Sequence, residues 1–341
     1  DNGGKEVLGY APSIMANDAL TWETTKQWNI GLDFGLFDNR LSGAIDFYLQ
    51  NTSDLLLERQ IPVVSGFGSV LSNVGETRNK GIEVSLSSMN INSKAFQWTT
   101  DVMFYANKES IESLYNGKID DIGNSWFIGQ PLHVFYDYEK IGIWQDTPED
   151  IAEMKKFNDN GASFKLGDIK IWDNGDNKIT EADRKILGTT SPKFIASMVN
   201  NFSYKGFDFS FFLYASMGSM LNNDIEYENK PGRANSIVID YWTPNNPTNA
   251  YPRPSVDNQE PAYVSTLRYQ KANYLRIRNI TLGYTLPDKI TSRLRARRIR
   301  LYFAANNPFV FTNFKGIDPE GAAGYTTPSC STWMGGVNLS F

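Results

Sequence analysis

Nine stretches of this chain read as β-strands, and the connections between them alternate between short and long without exception. In the first, Trp28, Ile30, Leu32, Phe34 and Leu36 share one face, opposite Asn29, Gly31, Asp33 and Gly35. In the second, Leu41, Gly43, Ile45, Phe47 and Leu49 oppose Ser42, Asp46, Tyr48 and Gln50. Ile82, Val84 and Leu86 oppose Glu83 and Ser85; Phe96, Trp98, Val102 and Phe104 oppose Gln97, Thr99 and Asp101. Phe207, Phe209, Phe211 and Leu213 oppose Asp208, Ser210 and Tyr214. Trp333, Gly335, Val337, Leu339 and Phe341 share the apolar face of the last strand, opposite Asn338 and Ser340. Period two marks a strand with one apolar and one polar face. Three weaker strands lie at 194–204, 274–286 and 297–307. In the middle one the apolar face switches, from Leu275 and Ile277 to Ile280, Leu282, Tyr284 and Leu286, which predicts a bulge or a strand that outruns its apolar zone.

The short connections are Asp38-Asn39, 90–94, Lys205-Gly206 and 287–296; the long ones are about 52–79, 108–193, 217–273 and 312–330. An up-and-down antiparallel sheet with turns at one end and loops at the other has this rhythm, as transmembrane β-barrels do. A soluble sandwich also alternates, but these strands often exceed the usual length and their apolar faces are aromatic-rich. Asp33, Asp46, Glu83, Asp101 and Asp208 fall on the polar faces, where a wet barrel interior accepts them and a dry core does not.

Composition removes other classes. No run approaches 18 apolar residues, so no helix is predicted to span a bilayer, a test that barrels escape. One cysteine, Cys330, forbids an internal disulfide, and one histidine, His133, leaves little material for His-based zinc sites or a Ser-His-Asp triad. A net charge of -5 gives no reason to expect nucleic-acid binding. The start, DNGGKEVLGYAPS, has neither a basic nor an apolar signal region.

Several segments together resemble the C-terminal barrel of SusC/RagA-type TonB-dependent outer-membrane transporters. The first contributes Leu20, Trp22, Glu23, Gln27, Asn29 and Gly31; the second, NVGETRNKGIEVSL, contributes Asn73, Gly75, Asn79, Gly81 and Glu83. GQPLHVFYDYEKIGIWQ, YWTPNNPTNAYPRP, YLRIRNITLGYTLP, NNPFVFTNFKGIDPE and the closing GGVNLSF follow in the family's order. The resemblance covers about residues 10 to 341. It implies an all-β chain forming about nine strands of a 22-stranded barrel, importing oligosaccharides or peptides without catalysis. It also implies a SusD-like surface lipoprotein as lid, energy from a TonB complex, outer-membrane lipid around the wall, and an aromatic last strand read by the barrel assembly machinery. The plug and the TonB-contacting segment of the family have no counterpart in 1–341, so the chain is expected to be a C-terminal part of a longer polypeptide. With Phe341 on the periplasmic side, the long loops are extracellular and residues 1–25 begin outside. A siderophore- or cobalamin-type receptor and a secreted glycan-binding or hydrolytic β-domain are the alternatives.

Few residues suggest chemistry. In GDIKIWDNGDNKITEADRKILG, Asp173, Asn174, Asp176, Asp183 and the Lys178 carbonyl gather hard oxygen donors around a Gly-assisted turn, as a structural calcium loop would. The EF-hand spacing is not met, and Asn177 stands where the family's DxNGDGxIxxxD loop has glycine; Asn tolerates the left-handed backbone. The competing reading is a solvated acidic turn without metal. The carboxylate pairs Asp120-Asp121 and Glu149-Asp150 read as solvated loop charge rather than a glycosidase dyad. No catalytic residue or required cofactor is predicted. The basic run RLRARRIR begins at a short connection, a place for lipid headgroups or lumenal acids. The loop aromatics Trp126, Tyr136, Tyr138, Trp144, Tyr241 and Trp242 are candidates for stacking on substrate or meeting a lid; packing the loops is the alternative.

Overall fold

A computed structural model describes residues 14–223, 238–254, 261–321 and 329–341. The expected outside start at residues 1–25, and parts of the expected loops 217–273 and 312–330, therefore fall partly outside the described residues. Nine long strands are present: β1 Thr24–Leu36, β2 Leu41–Ser53, β3 Glu76–Asn92, β4 Phe96–Ser113, β5 Phe194–Tyr204, β6 Phe207–Met217, β7 Tyr274–Thr285, β8 Arg298–Thr312 and β9 Thr332–Ser340. They form one sheet in chain order, an antiparallel meander whose ends, β1 and β9, do not pair with each other. The predicted strand count, order and short–long rhythm are all present.

The strand ends are where sequence and structure differ. β3 begins at Glu76 and β4 continues to Ser113, so the Lys108–Ser113 stretch, expected as the start of the 108–193 connection, is strand. A ladder satisfies backbone groups whether or not the side chains are apolar, so a barrel strand continues past its apolar zone. The bulge predicted in β7 sits at Arg278: Ile277 and Asn279 are in register with both neighbours and Arg278 is skipped.

The chain divides into two compact units. In the first, residues 1–31, 46–82 and 107–132, the family-like residues act as staples. Asn73 donates from Nδ2 to the carbonyls of Thr21 and Asp54 and accepts from the Thr21 amide. Glu23 accepts from the Leu56 amide, and Asn79 accepts from Asn107, which in turn accepts from Tyr48 Oη. These contacts fix the root of the connection between β2 and β3, where Leu56–Gln60 and Ser69–Asn73 pair.

In the second unit the apolar face of the sheet is a wall of rings facing outward. Phe202 stands between Trp98 and Phe209, and Leu282 and Phe303 continue that row. Phe207, Leu301, Trp333, Val337, Leu339 and Phe341 on this face are about half exposed or more. So large an apolar surface is incompatible with water and fits lipid. The opposite face carries Asp208, which takes a bidentate fork from Arg300 across β7. The fork passes over Gly283, where a Cβ would stand 2.4 Å from Arg300 Nη2.

The β5–β6 turn is Lys205 (φ 46) and Gly206 (φ 88), the left-handed pair of a two-residue hairpin. A Cβ on Gly206 would also sit 2.9 Å from the Thr285 carbonyl oxygen. Gly206→Ala is expected to cost about 1–2 kcal/mol, from the left-handed penalty for an L side chain. A lowered melting temperature of the folded, heat-modifiable band in electrophoresis checks it.

Candidate functional site

The long connections of the second unit are not structureless. Val134–Asp137 pairs with Lys185–Thr189, and Lys140–Ile143 pairs with Ile169–Ile171. Between them lies one helix, α1, Pro148–Asp159. Sequence reading missed α1, although its start is legible: Thr147 caps the Asp150 amide, Pro148 opens the first turn, and Glu149 and Asp150 complement the helix dipole.

Two hydrophobic clusters hold this body together. One joins Ile143, Ile169 and Ile171 to Ile239, Trp242 and Tyr251 of the next long connection; the other is Trp144, Phe157 and Phe164. Ile179 packs against both. The acidic loop that carries Ile179 is therefore placed at their junction.

In that loop Asp173 Oδ2 accepts from the amides of Gly175 (2.9 Å) and Asn177 (3.1 Å). Gly175 (φ 108) and Asn177 (φ 59) both take positive φ, which puts Asn177 in the left-handed conformation expected of it. Asp183 returns through a capping box with Thr180 and also accepts from the Asn174 amide at 3.0 Å. Carboxylate oxygens of Asp173, Asp176 and Asp183 lie within 4.8 Å of one another. Asp183 is fully buried, and Asp173 Oδ1 is buried without a hydrogen-bond donor. An orphaned buried carboxylate oxygen facing two further carboxylates is costly for the protein alone and fits a hard cation. Asn174 and Lys178 are exposed; the Asn174 side chain accepts from the Asp176 amide, and the Lys178 amide donates to Asp176. Nearby, burial, then Tyr138 and the Asp183 charge, push the Tyr263 phenol above its ordinary range.

A cleft of about 560 Å³ lies beside this junction, lined by Phe164, Lys165, Asp168, Arg253 and Tyr263 among others. Arg253 Nε and Asp168 Oδ1 form an ion pair of 2.9 Å in its wall. Sequence reading did not find this cleft, because its walls come from connections about 90 residues apart.

A family model described as TonB dependent receptor-like, beta-barrel matches residues 3–308. The chain belongs to that family. This membership overturns the secreted β-domain alternative and implies an outer-membrane location for the TonB-dependent receptor barrel. TonB-dependent receptor P3 of Formosa agariphila is 35% identical over 333 residues, covering 93% of this chain and 32% of that protein. TonB-dependent receptor SusC of Bacteroides thetaiotaomicron is 29% identical over 351 residues, covering 95% of this chain and 32% of SusC. The chain thus spans about a third of the length of these relatives. Among solved structures, the RagAB peptide importer in the open-open state matches with a TM-score of 0.78 and 26% identity, over 100% of this chain and 37% of the importer chain.

In this barrel segment the six loop aromatics divide. Trp144 is 1% exposed and Trp242 5%, so both pack the loop body and neither ring face is open to a ligand or lid. Tyr138 is partly buried edge-on to Tyr263 at 5.1 Å. Tyr136 and, in the other unit, Trp126 are partly exposed, and Tyr241 is 41% exposed. Asp120 and Asp121 are turn acceptors, taking the Ile128 and Asn124 amides. Asp150 accepts from Gln145 and Lys170.

Proposed function

We propose that this chain forms part of the wall and outer loops of a SusC-like importer of oligosaccharides or peptides. The single observation that carries the reading is the sheet itself: an open nine-stranded meander, apolar outside and charged inside, with a packed loop body joined to its long-connection end. In this reading the long connections face the medium, Phe341 lies at the periplasmic end, and further strands close a 22-stranded barrel around a plug. A SusD-like lipoprotein covers the loop body, and a TonB complex acts through the plug-bearing part. In this reading the chain's own residues bind and position rather than catalyse. Tyr241, Tyr136 and Trp126 keep the roles of substrate or lid contacts.

Affinity purification of the intact outer-membrane protein tests this. A co-purifying surface lipoprotein together with energy-dependent uptake of labelled oligosaccharide or peptide is the expected result. Purification without a lipoprotein, with binding of an iron chelate or a corrinoid, would support the siderophore- or cobalamin-type alternative.

The acidic loop is proposed to hold structural calcium through Asp173, Asp176 and Asp183. Extracellular calcium modules bind at about 0.1–1 mM. At 10 mM calcium the loop body should therefore gain roughly 1.4–2.7 kcal/mol by mass action. Asp173→Asn should remove most of that gain. Calorimetric titration and hydrogen exchange of 133–193, with and without a chelator, measure both; equal protection in both conditions leaves an acidic turn without metal.

A further inference from the structure

Close to the short-connection end, the apolar face of the second unit carries a polar network. Ser88 Oγ donates to Asn90 Oδ1 at 2.9 Å, and Asn90 Nδ2 donates to Thr100 Oγ1 at 2.7 Å. Thr100 Oγ1 and Trp98 Nε1 both donate to Asn200 Oδ1, at 2.7 and 2.8 Å. An indole nitrogen is only a donor, so it fixes which end of the Asn200 amide is oxygen. The Asn200 Nδ2 group is then turned away from both donors and has no acceptor among the described residues. Asn200 is 3% exposed.

These groups sit in a groove of about 470 Å³ whose other walls include Leu41, Leu86, Met198 and Phe211. The whole groove lies within the second unit. No ionisable side chain lines it. Asn200 is four residues from Tyr204, where β5 ends. At ~3.3 Å per residue and a barrel tilt of 35–45°, that is roughly 10 Å below the turn. The half-exposed rings of Tyr204 and Phe207 lie between Asn200 and the turn and mark the membrane interface.

A donor with no protein acceptor, at this depth and on a lipid-facing surface, is costly unless a lipid group accepts from it. The group available just inside the interface is a glycerol-ester carbonyl, which is neutral and only accepts. We propose that this groove binds one diacyl phospholipid of the periplasmic leaflet. An ester carbonyl accepts from Asn200 Nδ2, and the acyl chain lies against Leu86, Met198 and Phe211. The leaflet assignment rests on the orientation proposed above; the groove and its donor do not.

Native mass spectrometry of the intact outer-membrane protein in neutral detergent tests this, with 1-palmitoyl-2-oleoyl phosphatidylethanolamine and its diether analogue as probes. The wild type should retain one ester lipid that Asn200→Leu retains at least fivefold less. The diether lipid, which lacks the carbonyls, should be held as weakly by the wild type as the ester lipid is by the variant. That second comparison needs no substitution and stands even if the variant misfolds. Equal retention of ester and ether lipids, or of the ester lipid by wild type and variant, overturns the proposal. Asn200-dependent retention of lipid A in place of phospholipid overturns both the leaflet and the orientation. A protein subunit held on this face overturns the lipid occupant. None of these outcomes bears on the imported cargo, which uptake assays decide separately.

Discussion

Trp144→Ala should unfold the loop body while leaving the sheet intact. The ring is 1% exposed, lies 5.8 Å from both Phe157 and Phe164, and carries Lys170 Nζ at 4.4 Å over its face. Lys170 in turn holds α1 through Asp150 at 2.9 Å and Glu153 at 2.5 Å. Burial works against the Lys170 charge, but the hydrogen bonds it donates to Glu153 and Asp150, with their charges, outweigh it and raise its pKa. Lys170 therefore stays charged throughout the neutral range. Removing an indole from such a core costs about 3–5 kcal/mol. That is a large share of the stability of a body this small. Hydrogen exchange over 133–193 should speed by roughly two to four orders of magnitude, with the barrel's heat-modifiable band unchanged. Trp144→Phe should lose much less, since it keeps most of the packing and removes an indole N–H that has no acceptor. A ligand-contact role would give the opposite pattern: uptake lost, exchange unaltered.

How far the sequence is legible follows from which force acts on each part. Lipid on one face and water on the other impose period two along every strand, so Trp98, Phe209 and Leu339 announce their side without any tertiary knowledge. The bulge at Arg278 was legible for the same reason, because one extra residue inverts the face of everything after it. Strand ends carry no such signal, and Lys108–Ser113 continue a ladder with side chains that look like loop. α1 was overlooked because its polar surface resembles the loops around it; only Thr147 and Pro148 mark its start. The acidic turn was legible from Asp173 to Asp183, because its oxygen donors recur at short spacing; the Thr180 capping box that seats Asp183, and the Asn174 amide it accepts from, show only in the folded loop. The loop aromatics were the least legible. Tyr241 and Trp242 are neighbours in sequence, yet one is 41% and the other 5% exposed. Nothing local separates them, since Trp242 is buried by partners distant in sequence: the Ile143, Ile169 and Ile171 cluster, and Gln145, which accepts from its indole across 97 residues of chain.

The last long connection should come loose when Arg276 is replaced by methionine. The Arg276 side chain is 3% exposed at the long-connection end of β7, with Asp318 Oδ1 2.6 Å from Nη2 and Glu320 Oε1 3.1 Å from Nε. Nη1 donates to Ser329 Oγ at 3.0 Å, so one guanidinium holds both described ends of the connection. Glu320 keeps a second cation, Arg278, at 2.9 Å, but among the described residues Asp318 has only Arg276. Breaking a buried pair by removing one partner costs roughly 3–5 kcal/mol, because the other charge stays behind. A spin label on the exposed Cys330 should move from restricted to fast motion in Arg276→Met. Acid should do the same to the wild type. Burial opposes ionisation of Asp318, but Ser329, the Glu320 amide and Arg276 together outweigh it and hold its carboxyl below the ordinary range. A depressed carboxylate stabilises the fold above its unfolded value, about 3.9, and that contribution is lost as pH falls through the lower folded value. The label should therefore stay restricted through the mildly acidic range and mobilise only below the ordinary carboxylate range. In Arg276→Met it should be mobile at neutral pH, with no further acid-induced step. A wild-type label that mobilises between pH 5 and 7 would mean that some group other than the Asp318–Arg276 pair holds the loop.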